Sequence, residues 1–568
     1  MRPNVALVAL DAPKAAFGAF NAPKATLGRL GASVTQLSGI PDGTTRWGIP
    51  PARVKLSNEP MPEKVLLGSE PMTAAQVVDV VRGHAPVGLT DAAEKNLAAT
   101  RQHIEDLAHA VSPTYGVSTG FGALATRHIP VESRTALQRS LIRSHAAGAG
   151  PAVETEVVRA LMLLRLRTLA SGYTGVRPGT AQTLAALLNA GITPIVHEYG
   201  SLGCSGDLAP LAAVALALMG EGEVVYNGEV VPAAEALKHA EIEPVVLAEK
   251  EGLALTNGTD GMLGMLLLAA ADLHKLLDIA DITAAMSVEA LLGTDRAFAA
   301  DLQALRPHPG QALSAARMFA ALQDSKIVES HRGPDCNRVQ DAYSLRCSPQ
   351  VHGAARDSLT HAELVGGREL ASAVDNPVVL ADGRVESNGN FHGAPVAYVL
   401  DFLAIPIADV ASIAERRTDR MLDKARSHGL PPFLAFDPGV DSGHMIAQYT
   451  QAAVVSELKR LAVPASVDSI PSSAMQEDHV SMGWSAARKL RKSVDGLTTV
   501  LAIELLTAAR ALDFRAPLEP SPVTARVRDL LRTKVEGPGP DRHLAPEIAA
   551  AEELVRSGAV LAAATLEV

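Results

Sequence analysis

The sequence predicts a mainly α protein, an elongated bundle of long central helices joined to a loop-rich N-terminal catalytic region. Three observations carry that expectation. Apolar residues recur at three and four spacing over long stretches, alternating strand patterns are few and short, and aromatic residues make up only 3% of the 568 residues. A core built from Ala and aliphatic side chains suits closely packed helices. Hydrophobic residues at 47% and charged residues at 20% exclude a disordered or fibrous chain.

In chain order, residues 1–60 read as a dispensable N-terminal arm. They hold a near-repeat, DAPKAAFG at Asp11–Gly18 and NAPKATLG at Asn21–Gly28, with frequent Pro and Gly and no settled apolar period. Helical spacing appears over Arg101–Val111 and Glu154–Ser171, the second stopping at Gly172. Asp207 is expected to cap a helix that carries Pro210 early, and Gly228–Val231 reads as part of a small hairpin. Gly483–Phe514 places Leu490, Val494, Leu497, Leu501 and Leu505 on one stripe, with Arg and Lys expected on the outer face of its first turns. Pro-rich Ala516–Val523 marks a boundary. The expected division is therefore the arm to residue 60, a catalytic region at 61–265, a central bundle at 266–515 and a helical tail at 516–568.

A formal charge of -11 with no dense basic tract argues against nucleic acid as a partner. Three cysteines, Cys204, Cys336 and Cys347, make no disulfide framework, which points to a reducing compartment. The apolar runs at Leu208–Met219 and Leu266–Ala271 are too short for a bilayer span, and Val5–Leu10 is a poor signal sequence, so a cytoplasmic protein is expected. The seventeen His show no zinc spacing, and no metal is expected.

The least ordinary segment is HEYGSLGCSGDLAPLAAVALALMG at His197–Gly220. Its plainest reading is a glycine-rich loop before a helix, and a phosphate loop lacks the Walker Lys. A third reading is chemical. Attack by the Gly206 nitrogen on the Cys204 carbonyl carbon closes a five-membered ring, and loss of one water from the ring and one from Ser205 leaves a methylidene-imidazolone. Gly206 lets its nitrogen approach without a Cβ clash, Ser205 supplies the hydroxyl that leaves, and Cys204 contributes only backbone.

The same chemistry has companions along the chain: YGVSTGFGALA at Tyr115–Ala125, QRSLIRSHAAGAG at Gln138–Gly150, GSLGCSGDLAPLA at Gly200–Ala212, LALTNGTDG at Leu253–Gly261, QDAYSLRCSPQVHG at Gln340–Gly353, VDNPV at Val374–Val378, SNGNFHG at Ser387–Gly393 and SSAMQEDHVSMG at Ser472–Gly483. With these the chain resembles the aromatic amino-acid ammonia-lyases and aminomutases that carry this self-made cofactor, and among them the histidine ammonia-lyases. The resemblance runs from about Val65 to the C-terminus and leaves out the first sixty residues. It implies the ammonia-lyase/fumarase-like helical fold, a 4-methylidene-imidazol-5-one (MIO) formed from Cys204, Ser205 and Gly206, and a homotetramer with shared active sites.

The resemblance also implies roles. Tyr115, in a glycine-bracketed loop, would take the β-proton. Arg346 would clamp the α-carboxylate as a bidentate fork, and Tyr343 would assist amine addition or ammonia departure. On a helix, Gln340, Tyr343 and Arg346 would share one face. Asn257 would hold the electrophile's oxygen or the substrate carboxylate, and Phe391 would wall the pocket. His145 and Glu477 bear on substrate choice, because a buried imidazole needs polar partners for its two nitrogens, whereas a phenyl ring would leave them unpaired. Whether Glu477 also acts as a base is open at this point. His145 also occurs in tyrosine-selective members, and Met475 stands where many members carry Asn. The expected reaction is elimination of ammonia from L-histidine to give trans-urocanate, the first step of histidine degradation. The alternative is a lyase or 2,3-aminomutase for tyrosine or phenylalanine.

Overall fold

The computed structural model describes residues 63–566, apart from 69, 110–115, 121–126, 334–335 and 337. The expected arm at 1–60 and Tyr115 lie outside the described residues. The described residues belong to one compact unit. Among the described residues the strands are short and pair into four sheets of two or three strands.

Four long helices carry the core: Asp260–Ala290, Ser348–Leu370, Ala394–Leu422 and Gly483–Asp513. The Gly483 helix packs against both the Ala394 and Asp260 helices, and the Ser348 helix lies against the same two. The expected stripe Leu490, Val494, Leu497, Leu501 and Leu505 is buried within this one chain. The helix Thr155–Ala170, ending at Gly172 with φ +81, packs on the Asp260 helix. Their close approach depends on Gly264, where a Cβ would sit 2.8 Å from that of Ala160.

The first turns of the Gly483 helix depart from expectation. Their basic residues are held in ion pairs within the fold: Arg488 with Glu154, Lys489 with Asp401, Arg491 with Glu156 and Asp272, and Lys492 with Glu198. Sequence spacing shows which side of a helix a residue occupies, but not that acidic groups from distant elements arrive there. Deeper in the bundle Arg417 and Glu504 form a fully buried pair, and Glu504 also accepts from Thr283 Oγ1 at 2.8 Å and Ser287 Oγ at 2.9 Å. That satisfies a carboxylate that would otherwise be costly to desolvate.

The hairpin pairs Glu223–Tyr226 with Glu229–Pro232, so Gly228, with φ +83, belongs to the turn and not to a strand. By length and composition the Ala394 helix could cross a membrane, yet 61% of its most apolar window is buried inside the protein. It leaves Tyr398, Phe402 and Ile405 exposed at four- and three-residue steps, a stripe not covered among the described residues.

Candidate active site

The Cys204–Gly206 turn is held from three sides. Gly206 adopts φ +82, a left-handed conformation that favours glycine. A Cβ there would lie 2.0 Å from the Gly258 carbonyl oxygen, so no other residue fits. The same carbonyl accepts from the Asp207 N–H at 2.7 Å. On the second side, the Gly203 carbonyl accepts from Ser481 Oγ at 2.7 Å and from the Gly393 N–H at 3.1 Å. Met482 N–H donates to the Leu202 carbonyl at 2.8 Å, tying the start of the Gly483 helix to the turn.

Asp207 does not cap the helix that follows it, Leu208–Leu218, as expected. Its carboxylate instead accepts from Gly261 N at 2.8 Å and Met262 N at 3.0 Å, capping the Asp260 helix, while Ser201 Oγ bonds its other oxygen at 2.8 Å. Those N–H groups are among the orphan donors of a 31-residue helix, and tertiary packing brings the carboxylate to them. Complete burial pushes the Asp207 carboxyl up to about 7.

The third side is Glu477. Its Oε1 accepts from Ser205 Oγ and its Oε2 from Cys204 Sγ, each at 3.1 Å, and Ser472 Oγ adds a bond to Oε2 at 2.9 Å. Burial, reinforced by the bond to Glu477, pushes the Cys204 thiol up to about 12, so it stays protonated and does not serve as a nucleophile. Ser473, Ala474 and Met475 all have positive φ in the loop that delivers Glu477.

His145 ends the helix Arg134–His145. Its Nδ1 lies 3.1 Å from Ser144 Oγ, and the Ser144 hydroxyl donates to the Leu141 carbonyl at 3.0 Å, so Nδ1 carries the proton and Nε2 the lone pair. Burial lowers the His145 value, while the Leu141 carbonyl and the Glu477 charge partly oppose that. Gln138, on the same helix, accepts from the Gly252 N–H at 2.9 Å and links this helix to the Asn257 segment.

Asn257 is buried, its Nδ2 donating to the Asn376 carbonyl at 2.8 Å. Phe391 is half-buried next to His392, whose ring stacks on that of His479 with Nε2 and Nδ1 3.1 Å apart. The other predicted residues are arranged differently from expectation. Tyr343–Arg346 is a single helical turn, and Gln340 precedes it in irregular chain, so only Tyr343 and Arg346 meet. The Arg346 guanidinium lies 4.7 Å over the Tyr343 ring, and its Nε donates to the Asp341 carbonyl at 2.9 Å, leaving both terminal nitrogens without a bond among the described residues. Gln340 and Tyr343 are exposed. Among the described residues neither they nor Arg346 bond to the turn, to Glu477 or to His145.

The family description for aromatic amino acid lyases matches residues 72–533. The chain belongs to this family. Within the aromatic amino acid lyases it is 66% identical to a histidine ammonia-lyase of Streptomyces avermitilis, across 88% of this chain and 98% of that protein. A histidine ammonia-lyase of Sorangium cellulosum is 48% identical over the same shares. Among solved structures, histidine ammonia-lyase from Trypanosoma cruzi is 37% identical with a TM-score of 0.81, covering 88% of this chain and 95% of that one. Tyrosine aminomutase from Streptomyces globisporus is also 37% identical, with a TM-score of 0.83 and coverage of 88% and 98%. The lyase fold is thus the mainly α fold expected from the sequence.

Sequence reasoning missed three supports of the Cys204–Gly206 turn. Gly258 and Ser481 sit inside quoted motifs, but only the closed loops reveal that they hold the turn. The Lys250–Asp375 ion pair joins residues far apart in the chain; Asp375 lies in the VDNPV motif, but nothing in the sequence pointed to Lys250 as its partner.

Proposed function

We propose that this chain eliminates ammonia from L-histidine to give trans-urocanate, using an MIO group that Cys204, Ser205 and Gly206 form from themselves. The observation that carries the reading is the Glu477 carboxylate accepting from Ser205 Oγ at 3.1 Å in the Cys204–Gly206 turn. The residues fit the group. Only glycine fits at 206, the Ser205 hydroxyl is oriented by a carboxylate, and the Cys204 thiol is spectator to a backbone reaction. When formed, MIO supplies an electrophile for the substrate amine, so that ammonia becomes a workable leaving group.

The chain's own residues do the positioning. Loss of the Ser205 hydroxyl as water after ring closure frees Glu477 Oε1, and this oxygen with the lone pair on His145 Nε2 offers two acceptors, which a protonated imidazole side chain, donating from both ring nitrogens, satisfies. The same two acceptors would stand unpaired against a phenyl ring, which costs ~1–3 kcal/mol for each desolvated group. Arg346 offers its terminal nitrogens as a fork for the α-carboxylate. Asn257 steadies the electrophile's oxygen, and Tyr343 and Gln340 serve the amine and carboxylate end. Phe391 walls the ring, and Tyr115 takes the β-proton. The relatives at 66% and 48% identity support histidine as substrate. The aminomutase at 37% identity keeps a tyrosine 2,3-aminomutase as the second reading.

Incubation with histidine, tyrosine and phenylalanine, with products separated, tests the proposal. Urocanate supports it, whereas a cinnamate-type acid or a β-amino acid overturns it. A cytoplasmic homotetramer completes the proposal. The exposed stripe Tyr398, Phe402 and Ile405 supports the assembly.

A further inference from the structure

Behind Asn257 lies a buried ion pair that the lyase reading leaves unused. Lys250 Nζ is 2.6 Å from Asp375 Oδ2, with side chains 0% and 1% exposed. Lys250 also holds a left-handed backbone, φ +68, a conformation that a non-glycine residue adopts at a cost. Apolar residues of similar volume commonly replace a buried ion pair without loss of stability. Stability alone therefore gives no reason for this pair.

Its contacts give one. The other Asp375 oxygen, Oδ1, accepts from the Asn376 N–H at 2.8 Å, and the Asn376 carbonyl accepts from Asn257 Nδ2 at 2.8 Å. A carbonyl can only accept, so this bond sets the Asn257 amide with nitrogen toward Asn376 and Oδ1 turned away. Asn376 is fixed again through its own Oδ1, which accepts from Ser387 Oγ and the Asn388 N–H, each at 3.0 Å. Arg165, fully buried, binds the carbonyls of Asn257 and Val374, the latter at 2.8 Å, and so joins the two segments from behind. Next to Asn257 is Gly258, whose carbonyl packs on the Gly206 turn.

We propose that Lys250 and Asp375 are positioning residues, their ion pair holding the 374–376 segment so that the Asn376 carbonyl orients the Asn257 amide beside the Cys204–Gly206 turn. The inference rests on the lyase reading of that turn. The decisive variant is Lys250→Met with Asp375→Leu, which removes both charges together and avoids stranding one in the interior. It is compared with the parent, with Lys250→Arg, with Asn257→Ala and with the triple combination.

In the charge-free double variant, the turn peptide should still be two waters lighter and the thermal midpoint close to the parent. Its kcat should be at least about ten-fold lower with KM little changed, the signature of misplaced groups rather than weakened binding. Adding Asn257→Ala should lower kcat no further, because the pair acts through that amide. Lys250→Arg should retain more activity than the double variant. Amide hydrogen exchange should rise over residues 254–258 and 374–378 while the long helices stay protected. Parent kcat in the double variant, multiplying losses with Asn257→Ala, or a collapsed midpoint would each overturn the proposal. If the parent turns over none of the three amino acids, the lyase reading fails. Hydrogen exchange still decides the positioning claim, with unchanged exchange in both segments overturning it.

Discussion

Ser205 and Cys204 share one carboxylate, and their fates differ. The Ser205 hydroxyl is aimed at Glu477 and is expected to leave, whereas the thiol is held protonated and is expected to stay. Ser205→Ala removes one hydrogen bond, worth ~1 kcal/mol, and should fold with a thermal midpoint near the parent. It should keep both waters in its turn peptide and lose turnover by roughly three orders of magnitude or more, because the electrophile cannot form. A full-activity Ser205→Ala enzyme, or an active parent whose turn peptide carries its unmodified mass, would remove the basis of the cofactor assignment. Arg346 is the second test at this scale. Lys in its place offers a point charge instead of a fork, so Arg346→Lys should lower kcat/KM by ~10–100-fold, or ~1.4–2.7 kcal/mol. Parent kcat/KM would assign the carboxylate to another group.

Among elements, the Asp260 helix depends on a carboxylate from outside itself. Asp207 satisfies two of its first N–H groups and joins the helix to the turn. Asp207→Ala should destabilise the fold by ~1–3 kcal/mol, while Asp207→Asn retains an acceptor oxygen and should lose less. Thermal midpoints of the two variants decide this, and equal losses would place the effect elsewhere than in the cap. The sequence around this helix carried no sign of its cap, because Asp207 and Gly261 are far apart in the chain. Arg491 shows the same limit. Its position on the Gly483 helix is legible, but Glu156 and Asp272 reach it only through folding.

Across the molecule, buried His444 is expected to contribute to acid sensitivity. His444 is fully buried beside Arg510, Arg532 and Arg542, and burial first, then these charges, lowers its value to about 3. Between that value and the ordinary histidine range the unfolded chain binds more protons than the folded one. The His444 contribution is therefore complete above the ordinary range and is lost as pH falls toward 3, amounting to roughly 2 kcal/mol by pH 5. His444→Gln should flatten the decline of the thermal midpoint between about pH 6 and pH 4, and an unchanged slope would exclude this group. Subunit sharing is tested at the same scale. Arg346 does not bond to the turn within one chain, so inactive Tyr115→Phe and Arg346→Ala proteins, dissociated and reassembled together, should recover part of the activity. No recovery in verified mixed tetramers would reject that sharing.

Local patterns carried the helical class, the ends of the Thr155 and Gly483 helices, the stop at Gly172 and the proposal that the Cys-Ser-Gly turn reacts with itself. Each rests on near-neighbour physics, namely apolar period, backbone freedom and the reach of one nitrogen to an adjacent carbonyl. The broken face at Gln340 and the turned cap of Asp207 were decided by tertiary structure. So were the inward ion pairs of the Gly483 helix and the Lys250–Asp375 pair behind Asn257. In each of these the partners stand far apart in the chain or on other elements, and a hydrogen bond or a buried charge pair is defined by where folding brings two groups together, which spacing along one segment does not contain.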